Sequence, residues 1–163
     1  MLVARLRLLV VVLWAGSLWT VGYLVAPTLF ATLSDRVLAG TIAGSVFRNQ
    51  AWLSLACGVL VMVLTAYAKD LDVEQRRTVR LLTVLMLTCL LVGYFAVQPM
   101  MAEVRQASVG GVMTDANRDR FVMLHAVSAM LYLFQSGLAI ALLIKNVPLA
   151  IPTHPEAAMP GDA

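Results

Sequence analysis

Few places in this chain carry residues that could do chemistry. One side chain that titrates near neutral pH falls inside an uncharged stretch: His125, in "FVMLHAVSAMLYLF". An ionisable residue in such a setting usually faces a bundle interior or a cavity, so it invites a functional hypothesis. Imidazole and thioether sulfur together suit copper(I). The chain holds nine methionines, among them Met100 and Met101 at the end of "VGYFAVQPMM" and Met123 beside the histidine. A copper site built from His125, Met100 and Met101 is the one metal centre these residue types support. The plainer reading is stronger: methionine fills irregular cores, and a lone histidine is satisfied by one hydrogen bond, here from the neighbourhood of Tyr94, Gln98 or Ser128. Haem needs an axial histidine and usually a second ligand, which would require two chains.

Other chemistries find no footing. Ser17, Thr20, Tyr23, Gln50, Tyr94, Gln98, Ser128, Gln135 and Ser136 interrupt the apolar stretches, and they read as interhelical hydrogen-bonding groups. Ser17 and Ser128 have no base at readable spacing. No acid pair, zinc triad, phosphate loop or nucleotide fingerprint occurs. The expectation is therefore no catalytic residue, no cofactor and no enzymatic activity. Cys57 and Cys89 lie inside apolar segments as small hydrophobes, with no CxxC motif. The pI of about 9.2 comes without a basic stripe interleaved with aromatics, so nucleic acid is not an expected partner.

The elements that would position these groups are membrane helices. Hydrophobic residues make up 61% of the 163, charged residues 13%, and the mean hydropathy is +0.86, values that belong to a chain living in lipid. Charges are absent from Leu8 to Ser34, Asn49 to Ala68, Leu81 to Ala102 and Phe121 to Ile144. Each gap meets the roughly 20 residues a helix needs to cross the hydrocarbon. The expected fold is all-α: an integral membrane four-helix bundle with helices at about 8–31, 46–67, 80–101 and 121–144. These make a transmembrane domain over 1–147, and the proline- and alanine-rich residues 148–163 form a disordered cytoplasmic tail in which His154 has no role. "MLVARLR" resembles the start of a secretory signal, but the apolar run after it exceeds a signal core and lacks a convincing cleavage site, so it reads as a retained helix.

Lys and Arg set the orientation. Arg5, Arg7, Lys69, Arg76, Arg77, Arg80 and Lys145 flank one side; Arg36, Arg48, Arg105, Arg118 and Arg120 flank the other. Seven against five puts both termini in the cytoplasm, in a bacterial inner (cytoplasmic) membrane. Ser34 is the expected cap of an amphipathic stretch leading into the second helix, where Gly40 and Gly44 form a small-xxx-small face. Asp72 is the expected cap of the third helix with Gln75 at the capping-box position, Gly110-Gly111 a breaker, and Thr114 the cap of the fourth. Trp14, Trp19 and Trp52 are interfacial anchors or packing residues.

"VGYLVAPTLF" at 21–30 and "VGYFAVQPMM" at 92–101 repeat one phrase, Val-Gly-Tyr with proline following at Pro27 and Pro99. Phe47 and Phe121, each opening an apolar run, stand at a similar separation. Helices one and three run the same way, so the echo reads as a parallel repeat of two antiparallel hairpins. Coincidence between two Leu/Val-rich segments is the plainer alternative. Pro27 is expected to tilt or end the last turn of its helix.

The phrases "GSLWTVGYLVAPTLFATL", "AGTIAGSVF" and "FVMLHAVSAMLYLF" resemble domain-of-unknown-function family 4149, which includes proteins similar to transmembrane protein 205. The resemblance rests on Pro27 and Phe30, on Gly40 to Phe47, and on Leu124-His125 with Ser128. It implies a four-helix integral membrane protein without an assigned activity. A more distant similarity to the copper resistance protein D type of membrane domain would favour metal handling. The first helix departs from that pattern, with Trp14 and Trp19 and no histidine. Two functions remain: a non-enzymatic membrane component that packs against itself or a larger complex through Gly40 and Gly44, and a small carrier or copper-handling protein using His125, Met100 and Met101.

Overall fold

A computed structural model describes residues 2–106 and 114–147. The Gly110-Gly111 breaker and the tail from 148 onward lie outside the described residues. The described chain is helical: α1 (Leu2–Trp19), a π segment (Thr20–Val25), α2 (Ala26–Thr32), α3 (Arg36–Ala66), α4 (Val73–Val92), a second π segment (Gly93–Val97), α5 (Gln98–Gln106) and α6 (Asp115–Asn146). These join into four spans, Leu2–Thr32, Arg36–Ala66, Val73–Val104 and Asp115–Asn146, each long and apolar enough to cross a membrane. Each span packs on the one before it, and the fourth closes on the first. This ring order is what a two-fold axis along the bundle would generate from two hairpins.

Every span is longer than the apolar run that signals it, because polar turns beyond the hydrocarbon keep their intrahelical bonds. The largest difference concerns the second span. The stretch from Arg36 to Gln50 does not lead into a helix starting near 46; it is part of one continuous helix to Ala66. Its cap is Asp35, not Ser34: the carboxylate accepts from the amides of Val37 and Leu38 at 2.8 and 3.1 Å. An ionised oxygen beside the first turn also suits the positive end of the helix dipole. Asp72 and Thr114 cap α4 and α6 as expected, accepting from the amides of Gln75 and Asn117.

The echo has a structural cause. In both odd-numbered spans a π segment ends two residues before a proline and is closed by the amide of the residue between them: Ala26 donates to the Val21 carbonyl before Pro27, and Gln98 donates to the Gly93 carbonyl before Pro99. Proline has no N–H, and its ring clashes with the carbonyl four residues back, so widening the preceding turn by one residue relieves the clash without ending the helix. Pro27 therefore does not stop its helix.

The main core gathers Val11, Trp14 and Leu18 of α1 with Val61, Met86 and Leu142. A smaller cluster at the distal end, the end away from the chain termini, joins Val97, Met101 and Val104 to Leu124. Cys57 is buried in the main core and Cys89 is half-buried, both as free thiols.

Candidate functional site

The interior polar groups concentrate around the first π segment. Tyr132 of α6 drives its ring into the first span, and its hydroxyl donates to the Leu18 carbonyl while meeting the backbone amide of Gly22. Leu18 and Gly22 are the pair an α-helix would bond directly, so the phenol stands in the ladder between them. Only glycine permits this: an added Cβ at Gly22 would lie 2.7 Å from the Tyr132 hydroxyl oxygen. Tyr23 and Phe47 meet the Tyr132 ring edge-to-face at centroid distances of 6.1 and 5.7 Å, and the Tyr23 hydroxyl donates to Ser136 Oγ at 2.9 Å.

One turn toward the termini, Gln50 of α3 is 6% exposed. Its Nε2 donates to Ser17 Oγ at 3.2 Å and to Ser54 Oγ at 3.1 Å, and Ser17 donates to the Trp14 carbonyl. Gln135 of α6 donates across the bundle to the Met86 carbonyl. Each of these bonds either joins two spans or turns a side chain back on its own helix. They are worth on the order of 0.6–2 kcal/mol apiece in a membrane, and none pairs a nucleophile with a base.

Between α1 and α3 runs an open groove of ≈ 590 Å³, with Val12, Leu13 and Leu53 toward the termini and Thr20, Asn49 and Gln50 farther along. The residue before Asn49 is Arg48, exposed on the helix surface. Sequence reasoning counts Arg48 as a flanking charge. The continuous α3 instead carries it twelve residues past Arg36, roughly 18 Å along the axis. Two residues on, Gln50 bonds Ser17, the middle residue of the Leu2–Thr32 span. Arg48 is thus an arginine beside the middle of a membrane span.

At the terminal end a second polar cluster closes the bundle. Arg7 is 2% exposed. It donates through Nε to Asn146 Oδ1 at 2.6 Å and through Nη2 to Asp70 Oδ2 at 2.6 Å. The first span, the α3–α4 connection and the end of α6 meet on this one guanidinium, which holds the Asp70 carboxyl below its usual range chiefly by hydrogen bonding. Arg76 donates to the Ala68 carbonyl in the same connection.

The residues singled out from sequence are dispersed. His125 is exposed, its ring stacked on Phe121 at 6.3 Å, and it makes no hydrogen bond to Tyr94, Gln98 or Ser128. Met101 is buried with Val97, Val104 and Leu124, whereas Met100, one position before it, is exposed. Among the described residues no three His, Cys, Asp or Glu side chains gather as metal ligands. Pro99 is exposed and Ser128 half-buried. Gly40 and Gly44 face open space, with no atom within 4 Å of an added Cβ. Of the tryptophans, Trp14 is core, Trp19 packs against it, and Trp52 is exposed, meeting Tyr94 edge-to-face.

Sequence reasoning missed Tyr132, Asn146 and the true setting of Arg7 and Arg48. Tyr132 carries no local signal, since its role exists only against Gly22 on another span. Arg48 had one: the helical periodicity from Leu38 to Val46 already argued that the helix begins well before it.

No curated protein and no solved structure matches the chain significantly. Residues 9–109 match a family, a stretch that takes in the π segments and prolines of both odd-numbered spans and stops short of α6 and its Tyr132. By that match, which covers more than half of its length, the chain belongs to the family described as Domain of unknown function (DUF4149).

Proposed function

We propose that this integral membrane protein is a non-enzymatic component that works by lateral association, with a second copy or within a larger membrane complex. The observation that carries the reading is the open face at Gly40 and Gly44. Thr41 and Ser45 beside them turn their hydroxyls back onto the carbonyls of Val37 and Thr41, so the face is smooth as well as small. In lipid, where apolar burial gives little net drive, close backbone approach at such a face is a main source of helix association. The interior polar groups support a scaffold rather than a catalyst, because they are engaged in holding spans together.

The termini are assigned to the cytoplasm of a bacterial inner membrane. With Arg48 inside a span, the Lys/Arg balance becomes seven against four, which supports that orientation more strongly than the flanks alone. The test of association is replacement of Gly40 and Gly44 by leucine, followed by native mass measurement and crosslinking in nanodiscs. Loss of the oligomer or complex is expected; an unchanged mass and crosslink pattern would sink the proposal.

A further inference from the structure

We infer that the two hairpins rock against each other. The second hairpin, spans Val73–Val104 and Asp115–Asn146, swings about the core it shares with the first, and the distal half of its leading span closes onto α3 over Gly40 and Gly44. The observed arrangement is the open one. The main core, which both hairpins build, fills the half of the bundle nearer the termini. Beyond it each hairpin packs on itself. α2 lies on α3 and α5 lies on α6, within their own hairpins. The distal cluster of Val97, Met101, Val104 and Leu124 belongs entirely to the second hairpin, and neither the first π segment nor α2 has a buried residue. A region with so little shared apolar contact opens at low cost.

Between α3 and the third span the separation grows in steps. At Gly58 the helices are so close that an added Cβ would run into Leu87. Nearer the distal end Trp52 and Tyr94 still bridge them, but through large rings with centroids 6.5 Å apart. Beyond that pair, Gly44 and Gly40 meet nothing within 4 Å. Yet Gly40 stands eighteen residues from Gly58 in one continuous helix, five turns of about 3.6 residues, so both lie on one line along α3. The face that takes Leu87 at one end is therefore empty at the other.

The register of the closed form follows from the pairs already made. With Trp52 against Tyr94 in antiparallel helices, one further turn sets Arg48 opposite Gln98, and a second sets Gly44 opposite Ala102. Gln98 is half-buried and its side chain makes no hydrogen bond; Arg48 is exposed and has neither a hydrogen bond nor an ion pair. The Gln98 amide oxygen accepts what a guanidinium donates, and glycine against alanine lets two membrane helices approach closely. Closure thus joins two polar groups that the open form leaves apart. Rocking as near-rigid bodies is also the motion that repeated membrane halves favour. Closed, the third span would cover the face assigned to lateral association; that consequence alone rests on the association reading, and it makes the two states of the face exclusive.

The test uses the full chain at one copy per nanodisc, with Cys57 and Cys89 replaced by alanine and spin labels on Leu38→Cys and Met100→Cys. Pulsed electron resonance should show two distance populations, the second shorter by about 5 Å, half the width of a helix. Gly44→Leu should abolish the shorter one by filling the face. An added Cβ at that position meets nothing in the open form, so this variant keeps its fold. Gln98→Leu should reduce the shorter population by about threefold, in line with one interhelical hydrogen bond in a membrane. A single population, or a short one unchanged in either variant, would overturn the inference. Because each disc holds one chain, these distances report closure whether or not the protein associates, so the two readings fail separately.

Discussion

Two glycines in identical sequence phrases have different reasons to be glycine. Gly22 is held by contact, since any Cβ there meets the Tyr132 ring, whereas an added Cβ at Gly93 would meet nothing within 4 Å. Gly22→Ala should therefore destabilise the fold by roughly 1–3 kcal/mol, the usual cost of overpacking. Gly93→Ala should be neutral or stabilising by up to about 1 kcal/mol, because alanine loses less entropy in a helix. Denaturant titration of the two variants in the same detergent checks the contrast, and equal effects would mean that the phenol is not wedged as described. At this scale the sequence was a poor guide. "VGY" is legible as a motif, but the cause of its glycine is 110 residues away in Tyr132.

At the scale of elements, the two π segments share a proline and differ in what else holds them. The first has the Tyr132 hydroxyl standing in its ladder as well as Pro27 after it. The second has Pro99, and nothing within 4 Å of where a Gly93 Cβ would stand. Pro99→Ala supplies an amide and removes the ring, so Gly93–Val97 should revert to α-helix and its amides should exchange at least tenfold more slowly. Pro27→Ala should change exchange at Thr20–Val25 much less, because the inserted phenol keeps the turn wide. Hydrogen exchange resolved to these residues decides the matter; equal slowing in both variants would assign both segments to proline alone. Caps were read well from sequence at Asp72 and Thr114, where a polar residue stands directly before a helical run. Ser34 and Asp35 are both good caps in tandem, and one residue of register separates them.

At the scale of the whole molecule, the Arg7 cluster ties the ends of separate spans together. Asp70 carries its depressed carboxyl into a partly exposed position, so screening limits what the pair is worth. A carboxylate whose folded value lies below its unfolded one adds stability that is present above the unfolded value, near 4, and is lost as pH falls through the folded value. Unfolding midpoints should therefore hold steady between about pH 7 and 5 and fall below about pH 4. Asp70→Asn should lower the midpoint at neutral pH by an amount equivalent to about 1 kcal/mol and flatten part of the acid limb. Thermal scans across that range test it, and an acid limb identical in the variant would remove Asp70 from the explanation.

The sequence by itself determined that the chain is a bundle of four membrane helices. Hydropathy is a sum over neighbours in the chain, and a bilayer accepts little but helices long enough to cross it. It also revealed the paired prolines, since a missing amide acts within one turn of the residue that lacks it. Only the tertiary structure decided which polar groups meet: Tyr132 with Leu18 and Gly22, Gln50 with Ser17, Arg7 with Asp70 and Asn146. It also decided which candidates stay apart, with His125 outside the bundle and Met101 inside it. Register between spans is the physical reason. An apolar helix can slide or turn against its neighbour with little change in hydropathy, so the depth of Arg48 and the partner of Tyr132 follow from packing, which no local pattern records.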